Sequence, residues 1–165
     1  SYKGVEFTDC RIPSLDEVLE LGAGRCQLNI EIKNGPVHYP QIEEIIIDRI
    51  KAHRCREQVI ISSFDHRAIS RCHHLDAGIR LAYLIAHMPL EMAALLPSYR
   101  LYALHPNYAY ITHELINECH QLGLKVNAWG TNNPDDWKRF ADWGIDGIIS
   151  DYVAELHAML LALPR

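Results

Sequence analysis

Leu28-Asn29-Ile30-Glu31-Ile32-Lys33 alternates apolar and polar side chains without a break. Leu124-Lys125-Val126-Asn127-Ala128-Trp129 does the same near the other end of the chain, with Lys125, Asn127 and Trp129 on the second face. Successive residues of an extended strand point to opposite faces, so each stretch offers one apolar face to a packing layer and keeps the other for something else. Four further β-type runs, at 59–63, 81–85, 101–105 and 147–150, join 28–33 and 124–129. After the first gap their starts fall about 20–23 residues apart, the length of one strand, one helix and two short loops.

Helix signals fill the gaps. Ser14 and Glu17 form a capping box ahead of Val18, Leu19 and Leu21, with Pro13 just before them. Pro40 opens a helix over 41–53 whose Ile42, Ile45, Ile46 and Ile50 make one apolar stripe for packing. Asp65 caps a segment through Leu75, and Thr112 caps one that Gly123 stops. Asn133-Pro134 starts a helix bearing Trp137 and Phe140, and Val153, Leu156, Met159, Leu160 and Leu163 outline a last amphipathic helix. Short strands alternating with helices imply a parallel sheet, because parallel neighbours need crossover connections. A doubly wound sheet, covered on both faces, reads apolar throughout. An apolar outer face with a polar inner one suits a β/α barrel better. For either alternating stretch taken alone, a partly solvated edge strand is the other reading.

The 165 residues suit one domain spanning 1–165, with 48% apolar residues for a core and 22% charged ones. A net charge of −5 with scattered Lys and Arg argues against nucleic acid as a partner. No apolar run approaches the length of a membrane span. Five cysteines without a CxxC pair favour free thiols in a reducing compartment, and the chain opens with no signal-like segment, so a cytoplasmic location is expected.

Four stretches in register resemble the glycerophosphodiester phosphodiesterase family: residues 12–19 (IPSLDEVL), 28–33 (LNIEIK), 59–65 (VIISSFD) and the run from Gly123 to Asp151 that contains GLKVNAW and WGIDGIISD. The resemblance covers nearly the whole chain. It implies a partial TIM-type (β/α) barrel of the phospholipase C-like phosphodiesterase kind, with about five to six βα units. It also implies hydrolysis of glycerophosphodiesters to an alcohol and glycerol 3-phosphate with Ca²⁺ or Mg²⁺. Carried over by position, Glu31 resembles a metal carboxylate, Lys33 a phosphate-neutralising cation and Trp129 the aromatic wall beside the glycerol. The chemistry agrees: a hard cation wants carboxylate oxygens, and a phosphodiester transition state wants positive charge around its oxygens. Glu31 and Lys33, two apart on one strand, share a face. The family usually follows its tryptophan with Thr-Val-Asn, whereas this sequence reads Trp129-Gly130-Thr131-Asn132, so Asn132 is a candidate substrate contact on a divergent loop.

The larger departure is that the family's His-Arg-Gly strand, its Glu-x-Asp metal pair and its His-Asp strand lie upstream of residue 1. None of the ten histidines occupies a matching motif, so no catalytic acid or base is identified. One carboxylate and one lysine cannot hold a hard ion or shuttle a proton. The chain is therefore expected to be inactive alone, and a non-catalytic binding module on a phosphodiesterase-derived scaffold is the alternative.

His105, before Pro106 at a strand end, is a candidate substrate contact or a packing histidine. His73-His74 and Cys119-His120 read as surface histidines on helices, since no metal motif accompanies them. Ser62 and Ser63 read as strand-end hydrogen bonders, with no nucleophile elbow around them. Six strand candidates plus three that the family places upstream exceed the eight of a closed barrel, and 101–105 is the expected surplus. Strands 28–33 and 147–150 should then keep unpaired edges, and a second copy or a complementing N-terminal segment should cover the gap.

Overall fold

The computed structural model describes Thr8, residues 10–87 and residues 92–162. Helices and strands alternate as α1 (Leu15–Gly22), β1 (Leu28–Glu31), α2 (Ile42–Ala52), β2 (Val59–Ser63), α3 (His66–Leu75), β3 (Arg80–Ile85) and α4 (Met92–Leu95). They continue with β4 (Ala103–Pro106), α5 (His113–Gln121), β5 (Lys125–Trp129), α6 (Pro134–Asp142), β6 (Gly147–Ile149) and α7 (Val153–Ala162). The six strands form one parallel sheet in chain order, β1-β2-β3-β4-β5-β6. The expected surplus strand is a full member: β4 pairs with β3 through Ala103 to Pro106 and with β5 through Ala103 and Leu104. Its proline is tolerated because it stands at the last position of the strand.

Local chemistry sets the element ends. The Ser14 hydroxyl accepts from the Glu17 N–H at 3.3 Å while the Glu17 carboxylate accepts from the Ser14 N–H at 2.8 Å, the reciprocal pair that starts α1. Asp65, Thr112 and Asn133 accept from backbone N–H groups at the starts of α3, α5 and α6. Gln41 takes φ +64°, outside the helical region, so α2 begins at Ile42 and not at residue 41.

The outward face of the sheet and the inner faces of the helices form one core, through Ile30, Val59, Ile61, Leu81, Tyr83, Leu104, Val126 and Ala128 against Leu19, Ile46, Ile50, Ile69, Ile116 and Phe140. The isoleucine stripe on α2 is rotated from the expected one: Ile46, Ile47 and Ile50 are buried, while Ile45 is 56% exposed. At about 100° per residue, 45 lies about 150° around the helix from the centre of 46, 47 and 50, so burying those three turns it to the solvent side. Arg71 of α3 binds the buried Glu43 carboxylate, Nε to Oε1 at 3.0 Å, so the same face of α2 carries a paired charge. On α7, Leu156 is buried and Met159 half-buried, while Val153 and Leu161 are 66% and 69% exposed, so the expected amphipathic helix packs through a narrower face, and Leu163 lies outside the described residues.

The inward face has its own small cluster of Ile60, Ala82 and Ala103, with Tyr102 against it. No helix among the described residues packs on that cluster, so these residues are buried by the curl of the sheet. Strands lie about 4.8 Å apart, which puts β2 and β5 about 14 Å apart in a flat sheet. Yet Phe64, just past β2, and Trp129 on β5 meet with ring centroids 5.5 Å apart. The curl leaves β1 and β6 as unpaired edges among the described residues, as expected.

Candidate functional site

The parallel sheet brings the C-terminal ends of all six strands, and the loops after them, to one rim. Glu31 ends β1 and Lys33 follows it on the same side, Nζ to Oε1 at 2.6 Å. Two cavities meet at this pair. One, of about 380 Å³, lies over the sheet mouth between Asn29, Glu31, Lys33, Phe64, Leu84, Trp129, Gly130, Asn132, Ile149, Ser150 and Asp151. The other, of about 710 Å³, opens outward between the β1 and β2 loops along Asn34, Asp65, His66 and Arg67. Glu31, Lys33 and Phe64 border both.

Trp129 is held from two sides. Its indole N–H donates to the His105 carbonyl at 3.0 Å, and its ring receives Phe64 edge-on at 88°. Such edge-to-face pairs are worth about 0.5–1.5 kcal/mol beyond area burial. Gly130 follows at φ +94°, a left-handed position, and turns the chain off the strand. The Thr131 hydroxyl then donates to Asp136 at 2.7 Å. Asn132 spends its amide on the neighbouring loop: Oδ1 accepts from the Ser150 hydroxyl at 2.8 Å and the Asp151 N–H at 3.0 Å, while Nδ2 donates to the Asp151 carboxylate at 3.1 Å. It thus clasps the β5 and β6 loops while lining the smaller cavity.

His105 lies beneath this floor and is 1% exposed. Asn127 Nδ2 donates to its Nε2 at 2.9 Å, which leaves the ring proton on Nδ1. Burial pushes the imidazole down to about 4, so it is neutral at physiological pH. The expectation of a substrate contact therefore meets a ring buried inside the wall, whose backbone carbonyl anchors the Trp129 indole. Of the strand-end serines, Ser63 donates to the Ile32 carbonyl at 2.7 Å and accepts from the Asp65 N–H at 3.0 Å, whereas the buried Ser62 hydroxyl has no partner among the described residues. Asp65 is held below the usual carboxylate range: burial raises it, but the backbone N–H groups of Arg67 and Ala68 and the nearby Arg67 and Arg71 outweigh that.

Away from the rim, His73 stacks on Tyr99 at 4.3 Å and His120 meets Asp146 at 2.8 Å. His66, beside the outer cavity, stacks on Tyr83 at 3.8 Å and meets the Leu84 carbonyl at 3.1 Å. All five cysteines are free. No helix among the described residues is long and apolar enough to cross a membrane. The described residues include no group of three or more His, Cys, Asp or Glu side chains placed to hold a metal ion. Glu31, whose nearest charge is the Lys33 ammonium, falls short of the six to eight oxygens that Ca²⁺ takes. Sequence reading passed over Phe64 and Asp151 as wall residues. Continuing the inward alternation Ile60–Ser62 by one step would have found Phe64.

The profile of the Glycerophosphoryl diester phosphodiesterase family matches residues 2–155. A glycerophosphodiester phosphodiesterase of Caldanaerobacter subterraneus subsp. tengcongensis is 38% identical over 156 residues, which cover 90% of this chain and 61% of that protein. Among solved structures, a glycerophosphodiester phosphodiesterase from Thermotoga maritima matches with a TM-score of 0.68 at 26% identity, over 90% of this chain and 63% of the other. A phosphodiesterase of Oleispira antarctica, solved in complex with the product sn-glycerol-3-phosphate, gives a TM-score of 0.79 at 21% identity, over 91% and 62%. This chain thus spans roughly three-fifths of the length of these proteins. Its curled sheet is the corresponding part of a TIM-like barrel. The chain belongs to the glycerophosphoryl diester phosphodiesterase family.

Proposed function

We propose that this chain is the substrate-facing part of a glycerophosphodiester phosphodiesterase, which hydrolyses glycerophosphodiesters to an alcohol and glycerol 3-phosphate. The observation that carries the reading is the convergence of Glu31, Lys33 and Trp129 on one cavity in a chain of this family. Lys33 is the phosphate-neutralising cation: among the described residues it is the one ammonium bordering both cavities, and Glu31 at 2.6 Å holds it toward them. Trp129 and Phe64 supply an apolar wall for the glycerol carbons, fixed by the indole hydrogen bond. Asn132 shapes the opposite rim through its clasp on Ser150 and Asp151. His105 supports Trp129 through its carbonyl and, neutral and enclosed, takes no proton from substrate.

Glu31 is chemically suited to give one oxygen to a Ca²⁺ or Mg²⁺ ion, with the rest of the shell coming from other residues. Acid–base catalysis falls to groups other than Glu31 and Lys33, which are engaged with each other as an ion pair. Isothermal titration with sn-glycerol 3-phosphate tests the binding half. We expect Lys33→Met and Trp129→Ala each to weaken binding at least tenfold. Affinity unchanged in both variants would overturn the reading. Incubation with glycerophosphocholine separates the binding-module reading, which expects binding with no release of glycerol 3-phosphate under any metal.

A further inference from the structure

Lys33 and Phe64 stand on the partition between the two rim cavities, so a ligand held at that partition reaches into both. A phosphodiester has the matching shape. Its two ester arms leave the phosphorus in different directions, and the glycerol arm has its place against Trp129 in the smaller cavity. With the phosphate at Lys33, the second arm falls to the larger cavity of about 710 Å³, along Asn34, Gly35, Ser63, Asp65, His66 and Arg67.

Hydrogen bonds fix the wall of that cavity. Ser63 ties the two loops together, bonding the Ile32 carbonyl at 2.7 Å and the Asp65 N–H at 3.0 Å. Asp65 accepts from the Arg67 N–H at 3.0 Å, and Asn34 accepts from the Tyr39 N–H at 2.7 Å. The His66 ring is spent on Tyr83, stacked at 3.8 Å, and on the Leu84 carbonyl at 3.1 Å. The carboxylates are spent too. Glu31 pairs with Lys33 at 2.6 Å, Asp65 lies 3.6 Å from Arg71, and Glu43 behind it is held by Arg71 Nε at 3.0 Å. An ammonium headgroup would call for an uncommitted carboxylate or a cage of aromatic faces, and Phe64 turns its edge to Trp129. Arg67 is the exception among these committed groups. Its side chain is 90% exposed, and among the described residues its one charged contact is Nε to Asp65 Oδ1 at 3.5 Å, which leaves both Nη groups free to donate. A guanidinium fork matches a carboxylate in geometry and keeps its charge at any physiological pH.

We infer that the larger cavity receives the alcohol half of the phosphodiester and that Arg67 is its specificity-determining residue, reading a carboxylate on that alcohol as a serine headgroup carries it. This rests on the phosphodiesterase reading of the smaller cavity, which supplies the position of the phosphate. Serine and ethanolamine headgroups share the ammonium and differ by the carboxylate alone. The cavity offers a free donor for the carboxylate and no free acceptor for the ammonium, so the first of the two is favoured.

The test is isothermal titration of this chain with glycerophosphoserine and with glycerophosphoethanolamine at one ionic strength. The wild-type chain should bind the serine diester about threefold more tightly, within the range that an exposed charge pair supplies. Arg67→Gln keeps the backbone N–H that Asp65 accepts and should bind the two diesters equally, while Arg67→Lys should retain part of the preference. Arg25→Gln removes an exposed charge just before β1, at the other end of the strands, and should leave the preference intact. Equal affinity of the wild type for the two diesters, a preference that survives Arg67→Gln, or one lost equally in Arg25→Gln would each overturn the proposal. sn-Glycerol 3-phosphate lacks the alcohol arm and separates the two readings. If it binds while the diesters are indistinguishable, the headgroup assignment alone fails; if neither it nor either diester binds, the phosphodiesterase reading of the cavity fails with it.

Discussion

Acid should unfold this protein partly through His105, and the size of that effect follows from its surroundings. The ring is 1% exposed, its Nε2 faces the Asn127 amide nitrogen at 2.9 Å, and burial holds it down to about 4 against an ordinary value of 6.5. A group depressed on folding contributes stability above its unfolded value and loses it as pH falls toward the folded one. The window is therefore pH 6.5 down to about 4. A gap of about 2.5 units corresponds to roughly 3 kcal/mol, of which about 2 kcal/mol is gone by pH 5. The assay is urea denaturation of wild type and His105→Gln at half-unit steps from pH 7.5 to 4. Asp65 and Asp146 also titrate, but equally in both proteins, so the difference between the curves isolates the imidazole. His105→Gln should start less stable, and the two curves should converge as pH falls. Parallel curves would show that the imidazole is hydrated or charged in the folded state, and the reasoning from burial would fail.

Gly147 should tolerate no side chain. A Cβ there would lie 2.5 Å from Asn127 Oδ1, and Asn127 is already committed to His105. Gly147→Ala should therefore cost about 1–3 kcal/mol, read as a lowered melting temperature, and a variant as stable as wild type would contradict the packing. Cys72 and Cys119 are buried and raised to about 12 by desolvation, Cys55 is buried and raised in the same way, and Cys10 and Cys26 are exposed. Iodoacetamide at neutral pH should give two adducts on the native protein and five in guanidinium, by intact mass.

The strands were legible where one face is polar and harder to assign where both are apolar. Alternation in 28–33 and 124–129 marked β1 and β5 and told inside from outside. In β3, Leu81-Ala82-Tyr83-Leu84-Ile85 reads continuously apolar because the inward Ala82 and Leu84 are buried too. Such a run carries no facing signal. β4 was the hardest: four residues ending in proline, and the parallel pairing on both sides that makes it a strand is information from other segments. The isoleucine stripe on α2 meets the same limit. Ile45 and Ile47 are equivalent in composition, and only the crossing of α2 against α3 decides which of them is covered.

The site divides along the same line. That Glu31 and Lys33 face one way follows from their spacing on a single strand. The orientation of Trp129 does not, because Phe64 and the His105 carbonyl that fix it lie 65 and 24 residues away. His105 illustrates the consequence. A histidine at a strand end on the reactive rim invites a chemical role, yet Asn127 and Trp129, which bond its ring and its carbonyl, come one βα unit later in the sequence.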